Sequence, residues 1–302
     1  MKRAIDTTID PGKCTGCGEC VRVCPTSSLE MRGDVAVVTG QWSLGCGHCA
    51  AICPADAVTV GFTDEDALQL TSLEADVRHL EPGEFDTPSL VRLMRSRRSC
   101  RNYLDRHVSR EILEDLVRIG TTAPSGTNCQ LWTFTVLPDR ASVEALGGAA
   151  ANFFRALNRK AENPALRLIS KVFMKDVLGE YYRDYHDLVA EGLRQWDRSG
   201  RDRLFHGAPA AILIGSRPGA SCPAEDALLA SQNILLAAHS MGLGSCLVGF
   251  IVEALRNDSS IPRMLGISAE EKIHAAIALG YPDEPYQKPA GRKKVRPRFF
   301  QP

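Results

Sequence analysis

The spacing of apolar residues changes along the chain, and the changes outline its elements. Short runs rich in β-branched residues come first: Ala4–Ile9, Val35–Thr39 and Ala57–Phe62 predict strands. Thr63–Thr87 then loses the pattern. It carries Asp64, Glu65, Asp66, Glu74, Asp76, Glu81, Glu84 and Asp86 around Pro82-Gly83, and predicts a connector with room for one short helix. After Pro88, Leu90, Leu93 and Met94 recur at helical spacing over Ser89–Arg97. Ser109 is placed to cap a second helix with Ile112, Leu113, Leu116 and Val117 on one face and Gly120 at its end. Leu131–Leu137 alternates as a strand. Ala141–Arg203 is polar and helical with scattered aromatics. Ala208–Ile214 is continuously apolar, the pattern of a central strand. Pro223 opens another helix, with Glu225 and Asp226 in its first turn and Gly242 at its end. Ile273–Leu279 predicts a last buried strand.

Cysteine spacing gives the first strands their purpose. Cys14, Cys17, Cys20 and Cys24 precede Pro25 with the iron–sulfur spacing C-x2-C-x2-C-x3-C-P. Cys46, Cys49 and Cys53 before Pro54 repeat it, but Ser43 stands at the first cysteine's place. In two-cluster ferredoxins the fourth cysteine of each run serves the other cluster. The spacing therefore assigns one 4Fe–4S cluster to Cys14, Cys17, Cys20 and Cys53, and a second to Cys24, Cys46, Cys49 and the Ser43 position. Serine is a harder ligand than a thiolate. A serine-ligated 4Fe–4S cluster, a 3Fe–4S cluster and a fourth ligand from elsewhere all remain open. Structural zinc also uses close cysteine pairs, but needs four ligands where this block offers seven cysteines. The duplicated run predicts a ferredoxin-type module of paired hairpins and short helices over residues 1–62.

Composition narrows the partners. Lys+Arg and Asp+Glu balance at 36 each, so no net field draws nucleic acid or an anionic membrane. No apolar run approaches the roughly 20 residues that span a bilayer. The N-terminal residues hold no export-type apolar core, and eleven cysteines suit a reducing, cytoplasmic setting.

Arg97-Arg98-Ser99-Cys100-Arg101 reads either as a solvated charged face or as an anion site. Arginine gives planar bidentate contacts to phosphate. Three glycine-bearing segments, Pro124–Gln130, Gly242–Gly249 and Lys288–Lys294, are of the kind that lets backbone approach a flat ring. Together with Ala123-Pro124-Ser125-Gly126-Thr127-Asn128-Cys129-Gln130, Gly242-Leu243-Gly244-Ser245-Cys246 and Leu279-Gly280-Tyr281-Pro282, this arrangement resembles the nitroreductase family of FMN enzymes. With Cys14–Pro54 in front, the chain is similar to the branch with an N-terminal ferredoxin domain. Cysteine is the residue expected there at the place of Ser43.

The resemblance implies an α+β chain: a bacterial-ferredoxin-like module (1–62), an acidic linker (63–88) and a nitroreductase-like three-layer α/β/α domain (89–302). In it, 141–203 is a variable lid between the second and third core strands. It implies a homodimer with FMN at the interface. Arg97, Ser99 and Arg292 (alternates Lys293 and Lys288) would hold the phosphate beside Arg98. Arg101 would lie near the ribityl chain and the ring edge. Pro124, Ser125 and Gly126 would reach the flavin of the other subunit, with Asn128 and Gln130 in the same loop. Leu247, Val248 and Gly249 would lie against the ring. No side chain is expected to be catalytic, because the flavin carries the chemistry.

Tyr181, Tyr182, Tyr185, His186 and Trp196 of the lid are either helix packing or substrate contacts. His206 either caps or lines the cleft. Cys100, Cys129, Cys222 and Cys246 are expected to be small buried residues. The implied function is an FMN oxidoreductase in which the clusters pass single electrons toward reduction of a small electron-poor substrate, with ferredoxin, flavodoxin or NAD(P)H as donor. The alternatives are an electron-transfer adaptor that relays electrons to a partner protein, and a flavin-binding sensor.

Overall fold

The computed structural model describes residues 3–76 and 78–301. Met1 and Lys2 of the expected module, Val77 of the connector and Pro302 of the tail lie outside the described residues.

The first elements are β1 (Thr7–Ile9), α1 (Glu19–Val23), β2 (Leu29–Arg32), β3 (Val35–Val38), α2 (His48–Ala51) and β4 (Val58–Val60). β1 pairs antiparallel with β4, and β2 with β3. The internal repeat of the sequence becomes a repeat of structure. Each helix follows a left-handed glycine, Gly18 at φ 74° and Gly47 at φ 75°, a conformation that side chains disfavour. The core is small: Cys20, Leu29, Ala36 and Val58, with Cys14, Cys24, Cys49 and Cys53 packed against it. A module whose core is largely thiol depends on what those thiols bind. β2 escaped the periodicity reading because Leu-Glu-Met-Arg is only one alternation long.

The acidic connector forms a short 3-10 turn at Glu65–Leu68 and then lies on the second domain. There Thr71 and Ser72 donate to both carboxylate oxygens of the buried Asp115, at 2.6–3.3 Å.

The larger body contains α3 (Thr87–Ser96), α4 (Arg110–Gly120), β5 (Trp132–Leu137), α5 (Arg140–Glu162), α6 (Pro164–Phe173), α7 (Val177–Asp184), α8 (His186–Ser199), β6 (Ala210–Ser216), α9 (Pro223–Ser240), β7 (Gly244–Leu247), α10 (Gly249–Asn257), α11 (Ser260–Met264) and β8 (Lys272–Gly280). Four antiparallel strands form one sheet in the order β5-β6-β8-β7. β6 is interior and buried at every position, as its unbroken apolar run requires. Its side chains alternate between two cores. Ala211 and Leu213 join the core under α5, α10 and α11, while Ala210, Ile212 and Ile214 join the one under α4 and α9. Each buried Ile or Leu contributes about 1.5–3 kcal/mol, so this strand anchors the three layers.

Capping follows the residues present. Ser109 accepts from the Ile112 N–H, and Asp139 with Ser142 closes a capping box at α5. Two differences from the sequence reading stand out. The helical excursion lies between β5 and β6, the first two strands of this sheet, rather than the second and third. β7 was invisible because Gly-Ser-Cys-Leu has neither alternation nor β-branched residues.

Candidate functional site

Neighbouring sulfurs act on one another within the cysteine module. Burial raises the Cys20 pKa, and the neighbouring Cys14 and Cys17 sulfurs add to it. Burial likewise raises Cys49, with Cys46 and Cys24 beside it. The fourth cysteine of each run accepts an amide from four residues on: Ser28 N–H to Cys24 Sγ and Ala57 N–H to Cys53 Sγ, each at 3.3 Å. Desolvation alone would raise the Cys24 pKa, but hydrogen bonds from Thr26 and Ser28 hold it below the ordinary thiol value. Cys24, Cys46, Cys49 and Ser43 line one small cavity. Among the described residues no Cys, His, Asp and Glu side chains gather as ligands of a single metal ion. Three sulfurs spaced around a cavity suit an iron–sulfur cluster. Ser43 Oγ accepts the Gly45 N–H at 3.0 Å, and the Ser43 N–H donates to the Arg3 carbonyl.

A second constellation lies at the C-terminal end of α3. Burial lowers the Arg97 pKa, and Arg292 and Arg98 lower it further by repulsion. His239, in the last turn of α9, is lowered by burial and then by Arg97. The domain's ion pairs, such as Arg118–Asp115 and Arg140–Asp202, lie elsewhere. Among the described residues Arg97, Arg98 and Arg292 have no carboxylate at ion-pair distance. Cations held together without a counter-charge fit a phosphate. Ser99 forms a bridge with Ser245 of β7, and the Ser245 hydroxyl is buried with no hydrogen-bond partner among the described residues. His239 and Ser245 were missed by sequence reasoning, since only the sheet and α9 bring them to Arg97. Arg101 does not join this cluster. It is exposed, and its N–H donates to Glu284 Oε1 at 3.2 Å.

The Pro124–Gln130 loop is held at the other end of α9. The buried Asp226 accepts from Gly126 N–H at 2.8 Å and from Cys129 Sγ at 3.4 Å, while its carbonyl accepts from Trp132 Nε1. Ser125 Oγ accepts the Gln130 N–H, and Gln130 Nε2 donates to Asn128 Oδ1. Thr127, Asn128 and Gln130 all have positive φ, so the loop's shape is imposed by these contacts. Pro124 is exposed. In the third segment Leu247 and Gly249 are exposed, but Val248 is buried in the core. Of the four remaining cysteines, Cys100, Cys129 and Cys246 are buried as expected, and burial pushes Cys100 up to about 11. Cys222 departs from the expectation: it is exposed, at the open end of α9 beside Gly126.

The lid aromatics make contacts within the domain, although Tyr182 and Tyr185 remain exposed. Tyr181 Oη donates to Asn158 Oδ1 at 2.6 Å, and Tyr185 meets Phe250 edge-on. Arg167 lies over the Tyr182 ring, His186 pairs with Glu162 and Asp187, and Trp196 closes on Gly147. His206 adopts φ 58° before Gly207, and burial lowers its pKa.

The nitroreductase family profile matches residues 94–281, and the 4Fe-4S binding domain profile matches residues 7–30. The chain belongs to the nitroreductase family and carries a 4Fe-4S domain at its N-terminal end. It is an α+β oxidoreductase. A 4-nitrobenzoate reductase of Pseudomonas putida is 29% identical over 63% of this chain and 83% of its own length. An NADH dehydrogenase of Thermus thermophilus is 28% identical over 62% and 84%. An iodotyrosine deiodinase of Thermotoga neapolitana is 27% identical over 58% and 81%. A nitroreductase with bound FMN from Bacteroides fragilis shares the fold, with TM-score 0.50 and 22% identity over 68% of this chain and 94% of that one. No described helix is long and apolar enough to cross a membrane.

Proposed function

We propose that this protein is an FMN-dependent oxidoreductase in which iron–sulfur clusters pass single electrons to FMN for the two-electron reduction of a small, flat, electron-poor substrate. Nitroaromatics, quinones and activated alkenes have that chemistry, and the 4-nitrobenzoate reductase relative lies within it. The observation that carries the reading is the gathering of Arg97, Arg98 and Arg292 without a carboxylate, in a chain that also carries the cysteine module. We divide the chain into the cluster module at 1–62, the linker at 63–88 and the flavin domain at 89–302, with 141–203 as its lid.

Arg97, Arg98, Ser99 and Arg292 hold the flavin phosphate. Arg101 supplies positive charge toward the ring edge, where negative charge gathers on reduction. Leu247 and Gly249 present backbone and a small apolar surface to the ring, and Val248 fixes that segment from the core side. Pro124, Ser125, Gly126, Asn128 and Gln130 form the opposing wall. When bound, FMN supplies the hydride chemistry; the chain supplies position and electrostatics. No side chain is assigned as a catalytic acid, and water delivers the proton. Cys14, Cys17, Cys20 and Cys53 hold one 4Fe–4S cluster. Cys24, Cys46 and Cys49 hold a second, 4Fe–4S or 3Fe–4S, with Ser43 at the fourth place.

The two flavin-binding regions support a homodimer. His239, beside Arg97, and Asp226, beside the Pro124–Gln130 loop, are separated along α9 by about 20 Å at 1.5 Å per residue. A flavin anchored at Arg97 therefore meets the loop of a second copy more readily than its own. The donor is a ferredoxin, a flavodoxin or NAD(P)H.

Anaerobic purification with iron, sulfide and flavin counts tests the reading. FMN and acid-labile sulfide in stoichiometric amounts support it. Protein that holds its clusters but takes up no FMN overturns it.

A further inference from the structure

The module touches the larger domain through one of its two cluster loops. Asn128 Nδ2 donates to the Gly45 carbonyl at 2.9 Å. Gly45 lies between Ser43 and Cys46, in the loop lining the Cys24/Cys46/Cys49 cavity. Arg3 clamps the same junction. One guanidinium nitrogen donates to the Leu44 carbonyl and the other to the Asn128 carbonyl, both at 2.7 Å, while the group lies 3.9 Å over the Phe62 ring. The Arg3 backbone bridges Ser43. Backbone on both sides of the junction is thus held within hydrogen-bond distance.

Among the described residues the other cluster loop makes no hydrogen bond to the larger domain. Cys17 is exposed, and the hydrogen bonds of Asp10–Arg22 among the described residues stay within the module. Asn128, in turn, is tied to Gln130 and follows Gly126, which Asp226 fixes. One continuous set of bonded groups therefore runs from the serine-bearing cavity into the Ser125–Gln130 loop.

We propose that the cluster at Cys24, Cys46, Cys49 and the Ser43 position is the one that exchanges electrons with the flavin, across the Gly45–Asn128 contact, and that Arg3 and Asn128 are the residues positioning it. The Cys14/Cys17/Cys20/Cys53 cluster is the outer one and meets the external donor at its exposed edge. This rests on the reading above that the Ser125–Gln130 loop borders FMN. The electron balance is simple. A low-potential one-electron carrier of the ferredoxin class reduces the outer cluster, and the electron passes to the inner cluster and then onward. Each reduced cluster returns to its oxidised state. Two such transfers, with protons from water, make up the pair needed for a two-electron reduction.

The test uses the full-length, cluster- and FMN-loaded protein. Ser43→Cys first identifies the inner cluster, because it alters the EPR signal of that cluster alone. Asn128→Gly then removes the side-chain bond while keeping a residue that accepts φ 49° without strain. Arg3→Lys keeps the charge and loses the fork. After mixing with photoreduced ferredoxin, we expect flavin bleaching to slow by about tenfold in both variants, with iron, sulfide and flavin counts unchanged in Arg3→Lys and the Asn128→Gly rate taken per bound flavin. Freeze-quenched samples should accumulate the reduced signal that Ser43→Cys marks. Unchanged bleaching in both variants, or accumulation of the unmarked signal, overturns the proposal. Absence of bound FMN in the parent protein instead overturns the functional reading beneath it.

Discussion

Asp226 and Gly126, a hundred residues apart in sequence, are joined by a 2.8 Å hydrogen bond from the Gly126 N–H to a carboxylate in the first turn of α9. The same buried carboxylate accepts from Cys129, and its backbone carbonyl accepts from Trp132. One side chain thus sets the shape of a loop in which three non-glycine residues have positive φ. Asp226→Ala leaves the Gly126 N–H without its partner, a loss of about 1–3 kcal/mol. We expect FMN affinity to weaken by about tenfold or more at 1.4 kcal/mol per decade, measured by flavin fluorescence titration.

The basic cluster makes a prediction of a different kind. Arg97→Ala or Arg292→Ala removes a charge-assisted contact, about 1.5–3 kcal/mol, from phosphate only. FMN binding should weaken by one to two decades on that scale, while riboflavin, which lacks the phosphate, should bind the variants as it binds the parent. Parallel loss of both ligands in calorimetric titrations would show that these arginines shape the fold rather than hold phosphate.

Asp115 links stability to pH. Burial would raise its pKa, but hydrogen bonds from Ser72 and Thr71 and the Arg118 guanidinium outweigh that and hold it at about 2, below the ordinary 3.8. A depressed carboxylate contributes stability that is complete above its unfolded value and is lost as pH falls through the folded one. The contribution is about 2 kcal/mol at neutral pH. Melting curves from pH 5 down to pH 2 should therefore show a loss of stability that Asp115→Asn lessens by about 2 kcal/mol at most. The variant should also expose the Thr71–Ser72 segment to proteolysis at neutral pH.

The lid gives a control. Tyr181 donates to Asn158, whose side chain is otherwise buried in helix packing. Tyr181→Phe strands that amide oxygen and should cost about 1–3 kcal/mol in thermal or denaturant unfolding. FMN affinity should stay unchanged, because the hydroxyl faces α5.

Much of this could be read from the residues. The cysteine spacing marked the N-terminal 4Fe-4S domain, and Cys20 lies near Cys14 and Cys17, as Cys49 lies near Cys46 and Cys24. The apolar run at Ala208–Ile214 carried the central strand. What stayed hidden depends on distant packing. His239 reaches Arg97, and Ser245 bridges Ser99, only because α9 and β7 lie beside the end of α3. No motif in the sequence marks Arg3, yet it ties the Ser43 loop to Asn128. The resemblance groups Val248 with ring-facing neighbours, but strand-to-helix geometry turns it into the core. Cys222 was expected inside and lies outside, since the helix it precedes begins at the surface.

The reading above rests on the clusters feeding the flavin. Anaerobic stopped-flow mixing with reduced ferredoxin, following cluster and flavin absorbance together, tests it most directly against protein stripped of iron but still holding FMN. If the clusters feed the flavin, cluster bleaching comes first and flavin bleaching second, and the stripped protein shows almost no flavin reduction. Flavin that bleaches equally fast without the clusters would contradict it.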